Sequence, residues 1–216
     1  MAYNTGFNDD IDFYLWTKYL IYHLKIMRIL KEKTVSFTAM KHGTIEDFKI
    51  IAANDEATVK GLPDRLIAHL SEMAKDDGAY KINRLDHVLQ CATRASRANA
   101  DDEWIMAALL HDLGDVLAPY THGQVAGDII RKFVRKEVAW VVSHHGTFQM
   151  FYNVSLSEEL RNSRDQFKDH PYYQSAVDFC ENWDQCSFDP AYDTMSLDDF
   201  VPVIRRVFGR EPFETP

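Results

Sequence analysis

Apolar residues recur at helical spacing along almost the whole chain, and this periodicity constrains the fold more than any other feature of the sequence. The run that begins at Leu85 is typical, because apolar side chains follow at positions 88, 89 and 92 on one face of a helix. Strand-like alternation of apolar and polar residues is confined to the short run from Val35 to Met40. The sequence therefore predicts an all-α fold, a helical bundle.

Capping residues, prolines and glycines indicate where the helices begin and end. Thr44 is suited to cap one helix, and Pro63 is suited to the first turn of the next. Gly146 is expected to end a helix that starts near residue 137. Further along, the pattern predicts a charged connector helix over residues 155–168 and a last amphipathic helix over residues 197–208.

A single domain, residues 44–216, is expected after an N-terminal extension, residues 1–43, that contains a helix over residues 13–30. Charged side chains interrupt the apolar part of that helix, so it predicts neither a membrane anchor nor a signal peptide. We expect the helix to pack on the domain or to form a homodimer contact; a membrane-surface helix is the alternative. The interrupting residues are Lys18, His23, Lys25 and Arg28.

Overall charge and cysteine content narrow the partners and the compartment. The formal net charge is -9 and the isoelectric point is near 5.4, which argues against a binder of nucleic-acid phosphates. A small-molecule substrate is expected instead, with no nucleic acid and no membrane. The three cysteines are an odd number without paired CxxC motifs, which is typical of a reducing cytoplasm rather than of a disulfide framework.

Histidines and acids fall on, or at the ends of, different predicted helices, which is how helical bundles build metal sites. Adjacent helical side chains diverge by about 100°, so His111 would bind one ion while the Asp112 carboxylate bridges to a second. A lone helical histidine is more often a packed core or surface residue than a ligand. The conjunction of six positions favours a metal site: His87, His111, Asp112, His122, His144 or His145, and Asp184.

Around these residues the sequence resembles the HD-domain metalloprotein superfamily, over about residues 77–208. His87 and His111 are 24 residues apart, and the runs RLDHVLQCATRA and DDEWIMAALLHDLGD resemble the diiron oxygenases that cleave hydroxyphosphonates. The later ENWD run is similar to the segment that supplies their final acidic ligand. Myo-inositol oxygenase is a more distant member of the same branch. The resemblance implies an HD-domain bundle following the N-terminal extension.

The resemblance also implies how the ligands divide between two metal ions. His87, His111, Asp112 and Asp184 would hold one ion, while Asp112, His122 and His145 would hold the other. Mononuclear HD phosphohydrolases need only the first histidine, the His-Asp pair and the last aspartate. The presence of His122 and His145 therefore predicts a dinuclear centre.

For two of these ligand assignments, a nearby residue of the same type is an alternative. His145 is preferred to His144 because the following HGTFQ run resembles the family's segment after that ligand. Asp178 lies six residues before Asp184 on the same predicted helix and would be turned by about 240° from it, so only one of them faces the cluster. Asp184 after Trp183 matches the family better; the alternative is that Asp184 is a surface charge.

The resemblance implies a mixed-valent Fe2+/Fe3+ pair, dioxygen as co-substrate, and oxidative C–P or C–C cleavage of a small polar alcohol such as a hydroxyphosphonate. Histidine and carboxylate ligands also accept manganese, cobalt, nickel or zinc, so ligand type does not decide the metal. The alternative is a two-metal phosphohydrolase of a nucleotide or small phosphate ester, in which the ions activate a hydroxide. A third class is a metal-stabilised binding protein or sensor without turnover.

Substrate residues depart from those of the relatives that this chain resembles. Asp115 stands where inositol oxygenase and many two-metal phosphodiesterases carry lysine, Gln149 where the aminophosphonate-cleaving oxygenase carries lysine, and Tyr80 where it carries an acid. An acid at position 115 leads to the hypothesis of a cationic substrate end, held by this carboxylate and by aromatic faces. The aromatic candidates, which are otherwise ordinary core residues, are Tyr120, Phe148, Phe151 and Tyr152.

Two further substrate contacts have alternative interpretations. Tyr80 would occupy an open iron position before substrate arrives, as a tyrosine does in some members; the alternative is a helix–helix contact. Arg161, Arg164 and Lys168 would form an anion clamp if the connector folds over the site. The alternative interpretation is that these three side chains lie on a solvent-exposed face of the connector helix.

Overall fold

The computed structural model describes residues 34–76 and 78–213, and the chain divides into two compact units, Met1–Gly61 and Leu62–Pro216. The predicted helix over residues 13–30, and with it the expected homodimer contact, lies outside the described residues. The domain boundary at residue 43 stays a prediction.

In the first unit, helix α1 spans Ile45–Lys60 and begins at the predicted cap. The Thr44 hydroxyl accepts from the Asp47 amide, while the Asp47 carboxylate accepts from the Thr44 amide. The Ser36 amide and hydroxyl also donate to the buried Asp47 carboxylate, at 2.6 and 3.0 Å. These bonds fasten the segment before the helix to its first turn. That segment, which includes the alternating run from Val35 to Met40, contains bends and a 3-10 turn, Met40–His42.

All regular structure in the described part of the second unit is helical, which confirms the predicted all-α class. The helices are α2 Leu62–Met73, α3 Arg84–Arg97, α4 Asp102–Leu110, α5 His122–Ile130, α6 Lys136–Gln149, α7 Glu158–Arg161, α8 Tyr173–Phe179 and α9 Leu197–Phe208. Short turns follow three of them: the 3-10 turns Met150–Tyr152 and Ser163–Phe167, and the π-helical turn Cys180–Asp184.

Helix α4 is the centre of the second unit. From Ile105 to Leu110 every side chain is buried, and α3, α6 and α9 pack around it. Its start is fixed by Asp101, whose carboxylate accepts from the amides of Glu103 and Trp104. Because the helix is apolar on all sides, its carboxyl end delivers the next residue, His111, into the interior of the bundle.

Two predicted helix boundaries are wrong. Helix α6 continues through Gly146 to Gln149, because glycine is tolerated inside a helix that tertiary packing stabilises. The connector over residues 155–168 is not one helix, since α7 ends at Arg161 and a 3-10 turn begins at Ser163. Helices this short depend on tertiary contacts rather than on their own hydrogen bonds. Within the described ranges, no helix is both long enough and apolar enough to span a membrane.

Candidate metal centre

Six side chains from different elements converge inside the second unit. Helix α3 supplies one histidine, the end of α4 supplies the adjacent His-Asp pair, the first residue of α5 and the middle of α6 supply two more histidines, and the π-helical turn supplies an aspartate. They are His87, His111, Asp112, His122, His145 and Asp184, and together with Asp115 they fall into overlapping groups of three with metal-ligand spacing. The structure thus brings together all six residues of the predicted ligand set.

The first group surrounds the two deepest imidazoles. His87 Nε2 lies 3.2 Å from His111 Nε2, 3.4 Å from Asp112 Oδ2 and 3.3 Å from Asp184 Oδ1. His111 Nε2 lies 3.4 and 3.6 Å from the same two oxygens. All four ligand atoms therefore face one small volume.

The second group uses the other oxygen of the shared carboxylate. Asp112 Oδ1 lies 3.1 Å from His145 Nε2 and 3.6 Å from His122 Nε2, and the two imidazole nitrogens are 3.2 Å apart. Asp112 thus directs Oδ2 toward one group and Oδ1 toward the other. This is the arrangement expected of a carboxylate that bridges two ions.

Every one of the four imidazoles directs Nδ1 to a main-chain carbonyl oxygen. The Nδ1–O distances are 2.9 Å for His87 to Ser187, 2.9 Å for His111 to Ala108, 3.1 Å for His122 to Pro119 and 2.7 Å for His145 to Val142. Since a carbonyl oxygen only accepts, Nδ1 carries the proton and Nε2 presents a lone pair to the cluster. Lone pairs that face one another at 3.2 Å require a positive charge between them, either a proton or a metal ion.

The donor set fits two metal ions. Ligand atoms bound at about 2.1 Å to one ion lie about 3.0–3.4 Å from one another. The measured separations within the two groups are between 3.1 and 3.6 Å. Four imidazoles and two carboxylates suit iron, and they also suit manganese, cobalt, nickel or zinc. The arrangement supports a dinuclear centre and leaves the choice of metal open.

Electrostatics also favour cations at this site. Burial opposes protonation of His87, but the carboxylates of Asp112 and Asp184 outweigh it and raise the pKa of this imidazole to about 9. Burial raises the pKa of the Asp112 and Asp184 carboxyls, and the neighbouring His111 more than compensates, so that both pKa values lie below the ordinary range. In the absence of metal, protons hold the charge that metal ions would supply.

His122 reaches the cluster because the turn after α4 carries a glycine. A Cβ at Gly114 would lie 2.8 Å from both the Cα and the carbonyl oxygen of His122. Glycine suits this position because the two backbone segments approach each other too closely for a Cβ atom.

His144 does not join the cluster. Its Nδ1 donates to the Trp140 carbonyl at 2.8 Å and its ring stacks on the Trp140 indole, with centroids 4.3 Å apart. Adjacent residues on α6 point in different directions, so only His145 faces inward. The structure therefore separates the two histidines between which the sequence alone left a choice.

The π-helical turn separates the two candidate acids. Asp178, on α8, is exposed and accepts from the Gln174 amide at 2.8 Å. Asp184, at the end of the turn, is buried and accepts from the Gln149 amide at 3.0 Å. Such π turns are frequent at functional sites because they reorient side chains within a helix.

The segment that contains His87, the adjacent pair His111–Asp112, His122 and His145 matches a known family model. Residues 84–170 match the family model for the HD domain. The match begins at the first residue of α3 and includes five of the six cluster residues, while Asp184 lies beyond it. Among curated proteins, none matches the sequence. The match to this model, together with the buried donor set, supports a metal-dependent enzyme.

A cavity of about 610 Å³ opens onto the cluster of candidate ligands. Its lining includes three residues that the sequence had singled out as substrate contacts: Tyr80, Asp115 and Gln149. Tyr80 is half exposed at the rim, where its ring packs against Phe188 with centroids 4.8 Å apart. One side of the Gln149 amide donates to Asp184, and its buried carbonyl oxygen has no hydrogen-bond partner among the described residues.

The predicted anion clamp does not line this cavity. The Arg161 Nε donates to the Phe151 carbonyl at 3.1 Å, and the Arg164 guanidinium lies 3.7 Å from the centroid of the Phe151 ring. Lys168 is exposed and pairs with Asp165 at 2.8 Å. None of the three cations belongs to the cavity wall as the structure describes it.

The predicted aromatic cage is also not assembled. Tyr152 lines the cavity, whereas Tyr120 is almost fully exposed and Phe148 is fully buried in the core. Asp115, the intended partner of a substrate cation, forms an ion pair with Arg84. A cationic substrate would have to displace Arg84 from this carboxylate.

Phe188 and Arg84 are among the cavity-lining residues that the sequence did not identify as site residues. Phe188 stacks on the His87 ring, with centroids 4.4 Å apart and an interplanar angle of 24°. Arg84 precedes His87 by three residues and so lies on the same face of α3, which is a spacing signal that the sequence did contain. No sequence signal indicated Phe188, because the loop that carries it follows the π-helical turn by four residues.

Proposed function

We propose that the chain is a dinuclear-iron oxygenase of a small polar alcohol, with a hydroxyphosphonate as the leading substrate class. The observation that supports two metal ions is the second donor group, in which His122 and His145 face Asp112 Oδ1. The choice of an oxygenase over a two-metal phosphohydrolase follows the resemblance of the sequence to diiron oxygenases. A mononuclear HD phosphohydrolase has no use for these two inward histidines. Their lone pairs support a second ion beside the one held by the first group.

Iron in the two positions, as Fe2+/Fe3+, would supply dioxygen activation and one-electron chemistry at a carbon atom. The chain's own residues prepare the site. Asp112 fixes the spacing of the two positions through its two oxygens, and Gln149 orients Asp184 by an amide hydrogen bond. The Phe188 ring covers the outer face of His87 and so keeps water from the ligand.

The charge and size of the cavity support a compact substrate. About 610 Å³ is within the range of cavities that bind small molecules. In the described lining, Arg84 is the one lysine or arginine, and Asp76 and Asp115 already hold its guanidinium. A nucleotide polyphosphate is ordinarily met by several cations. The lining therefore favours a small alcohol over a nucleotide.

The test starts from protein loaded with Fe2+ without oxygen and then partly oxidised. We expect a coupled mixed-valent signal in electron paramagnetic resonance that changes when a 1-hydroxyalkylphosphonate is added. Oxidative cleavage of the C–P bond converts one dioxygen and one hydroxyphosphonate into one carboxylic acid and one phosphate. Dioxygen uptake and phosphate release should therefore occur in equal amounts. His144→Ala serves as a matched control that retains the signal, whereas His145→Ala loses it.

The opposite outcome would identify a hydrolase. Release of phosphate from nucleotides or small phosphate esters by the manganese, cobalt or nickel form, with no dioxygen uptake, would replace the oxygenase by a two-metal phosphohydrolase. Two bound metals with no turnover of either substrate class would instead indicate a metal-stabilised binding protein.

A further inference from the structure

The four imidazoles of the cluster differ in the polar contacts of Nδ1, the ring nitrogen that faces away from the cluster. For His87, His111 and His145, the hydrogen-bond partner of Nδ1 is a main-chain carbonyl oxygen. The Nδ1 of His122 faces the Pro119 carbonyl at 3.1 Å and also Asp115 Oδ1 at 3.3 Å. In the described structure, only this imidazole of the four has a carboxylate on its outer side.

The carboxylate of Asp115 is itself held in place. Its second oxygen, Oδ2, pairs with Arg84 Nη1, while Arg84 Nε donates to Asp76 Oδ2 at 2.8 Å. The Arg84 amide also donates to the Asp76 carbonyl at 2.8 Å, so main chain and side chain fix the same arginine. Asp76, Arg84, Asp115 and His122 thus form a continuous chain of polar contacts that ends at the second donor group.

We infer that Asp115 is a positioning residue for the second metal ion, with Arg84 as the clamp that keeps its carboxylate against His122. The inference rests on the two-metal site of the proposed function. A carboxylate on Nδ1 retains the proton there, leaves the Nε2 lone pair toward Asp112 and His145, and strengthens the imidazole as a ligand. His122 needs this support because it is the most exposed of the four histidines, at 23% of its side chain, so water competes for its ring.

The geometry indicates that the Asp115 carboxylate contacts the ligand His122 rather than the substrate. The Asp115 amide donates to the Asp112 carbonyl at 3.0 Å, so a single turn places both carboxylates beside His122, with Asp112 near Nε2 and Asp115 near Nδ1. The Asp115 side chain is 17% exposed, which removes most of the solvent screening that weakens surface ion pairs. A lysine ammonium at this position could not accept a hydrogen bond from Nδ1. The presence of aspartate instead of lysine at position 115 therefore changes the kind of side chain that contacts Nδ1 of His122.

The test measures metal binding in the absence of substrate. Metal-free protein is titrated with Co2+ under nitrogen against a chromophoric chelator, which resolves two stepwise binding constants, while the visible absorption of bound Co2+ reports each site. Asp115→Asn should weaken the second constant by about 10-fold to 100-fold and leave the first within about twofold. Asp115→Glu, which keeps the charge, should recover part of the loss. Asp128→Asn, a matched change in an exposed carboxylate on α5, should alter neither constant.

Each outcome has a separate meaning. An unchanged first constant in Asp115→Asn shows that the variant is folded around the deeper site. If the wild-type chain binds two ions and Asp115→Asn binds both with wild-type constants, the positioning role is overturned and the two-metal proposal survives. If the wild-type chain binds a single ion, the two-metal proposal itself is overturned, and the inference falls with it.

Discussion

His87 Nε2 and His111 Nε2 lie 3.2 Å apart, while Nδ1 of each ring donates to a main-chain carbonyl oxygen. Two lone pairs fixed at this distance repel one another unless a cation lies between them. Because the Nδ1 hydrogen bond fixes each ring, neither imidazole can rotate away from the other. The deep end of the cluster therefore favours the binding of protons or metal, and this preference governs how the stability of the protein responds to pH.

The metal-free protein should lose stability as pH rises from about 6.5 to about 9. The pKa of His87 is raised from 6.5 to about 9, because the carboxylates of Asp112 and Asp184 outweigh the opposing effect of burial. The protonated His87 imidazole stabilises the fold fully below pH 6.5. This stabilisation disappears as the imidazole loses its proton near pH 9. The melting temperature of chelator-treated protein across this range measures the effect.

The metal-loaded protein provides the contrast. Its melting temperature should remain nearly constant from pH 7 to 9, because metal ligation replaces the proton on Nε2. A metal-free melting temperature that rises over the same interval would contradict the assigned role of His87.

Replacement of His122 by alanine should remove about one metal ion per chain. This imidazole belongs only to the second donor group, where it faces Asp112 and His145. His144→Ala changes a neighbouring imidazole that stacks on Trp140 outside the cluster, so it should retain both ions. Metal content by mass spectrometry after dialysis gives the comparison. Equal retention by the two variants would reject the second site.

Asp184→Asn should weaken binding at the first donor group, whereas Asp178→Asn should not. Asp184 is buried with Oδ1 at 3.3 Å from His87 Nε2, and Asp178 is exposed on the preceding helix. Loss of a charged ligand reduces affinity, while a neutral change at the surface costs little. Isothermal titration with Mn2+ compares the two variants. A larger loss in Asp178→Asn would reverse the assignment of the acidic ligand.

Gly127→Ala should destabilise the second unit by about 1–3 kcal/mol, because a Cβ there would overlap the Ser143 hydroxyl and force α5 away from α6. The double variant Gly127→Ala with Ser143→Ala removes the overlapping oxygen and should recover part of the loss. Chemical denaturation of the single and double variants measures the coupling between the two positions. Strictly additive effects would mean that the helices adjust without strain at this contact.

Periodicity along the chain was sufficient for the fold class and for most helices of the second unit. Helix α9 coincides with the predicted span of residues 197–208, because Ser196 and Asp199 form a capping box and the apolar stripe is unbroken. The connector over residues 155–168 was mispredicted, because two arginines there pack against Phe151 and the local pattern contains no sign of that contact. Local signals are sufficient where a helix carries its own caps and its own apolar face.

Residue types and their spacing along the chain determined which imidazoles and carboxylates are available to a metal centre. Only the tertiary structure decided which of them point inward. His145 rather than His144 faces the cluster because of the rotation of α6, and Asp184 rather than Asp178 because of a π-helical turn. Asp115 meets Arg84 across 31 positions of sequence, so its charge is directed to a ligand and not to the open cavity. Sequence sets the chemistry of each side chain, whereas helix rotation and long-range pairing set its direction and its partner, and these depend on packing.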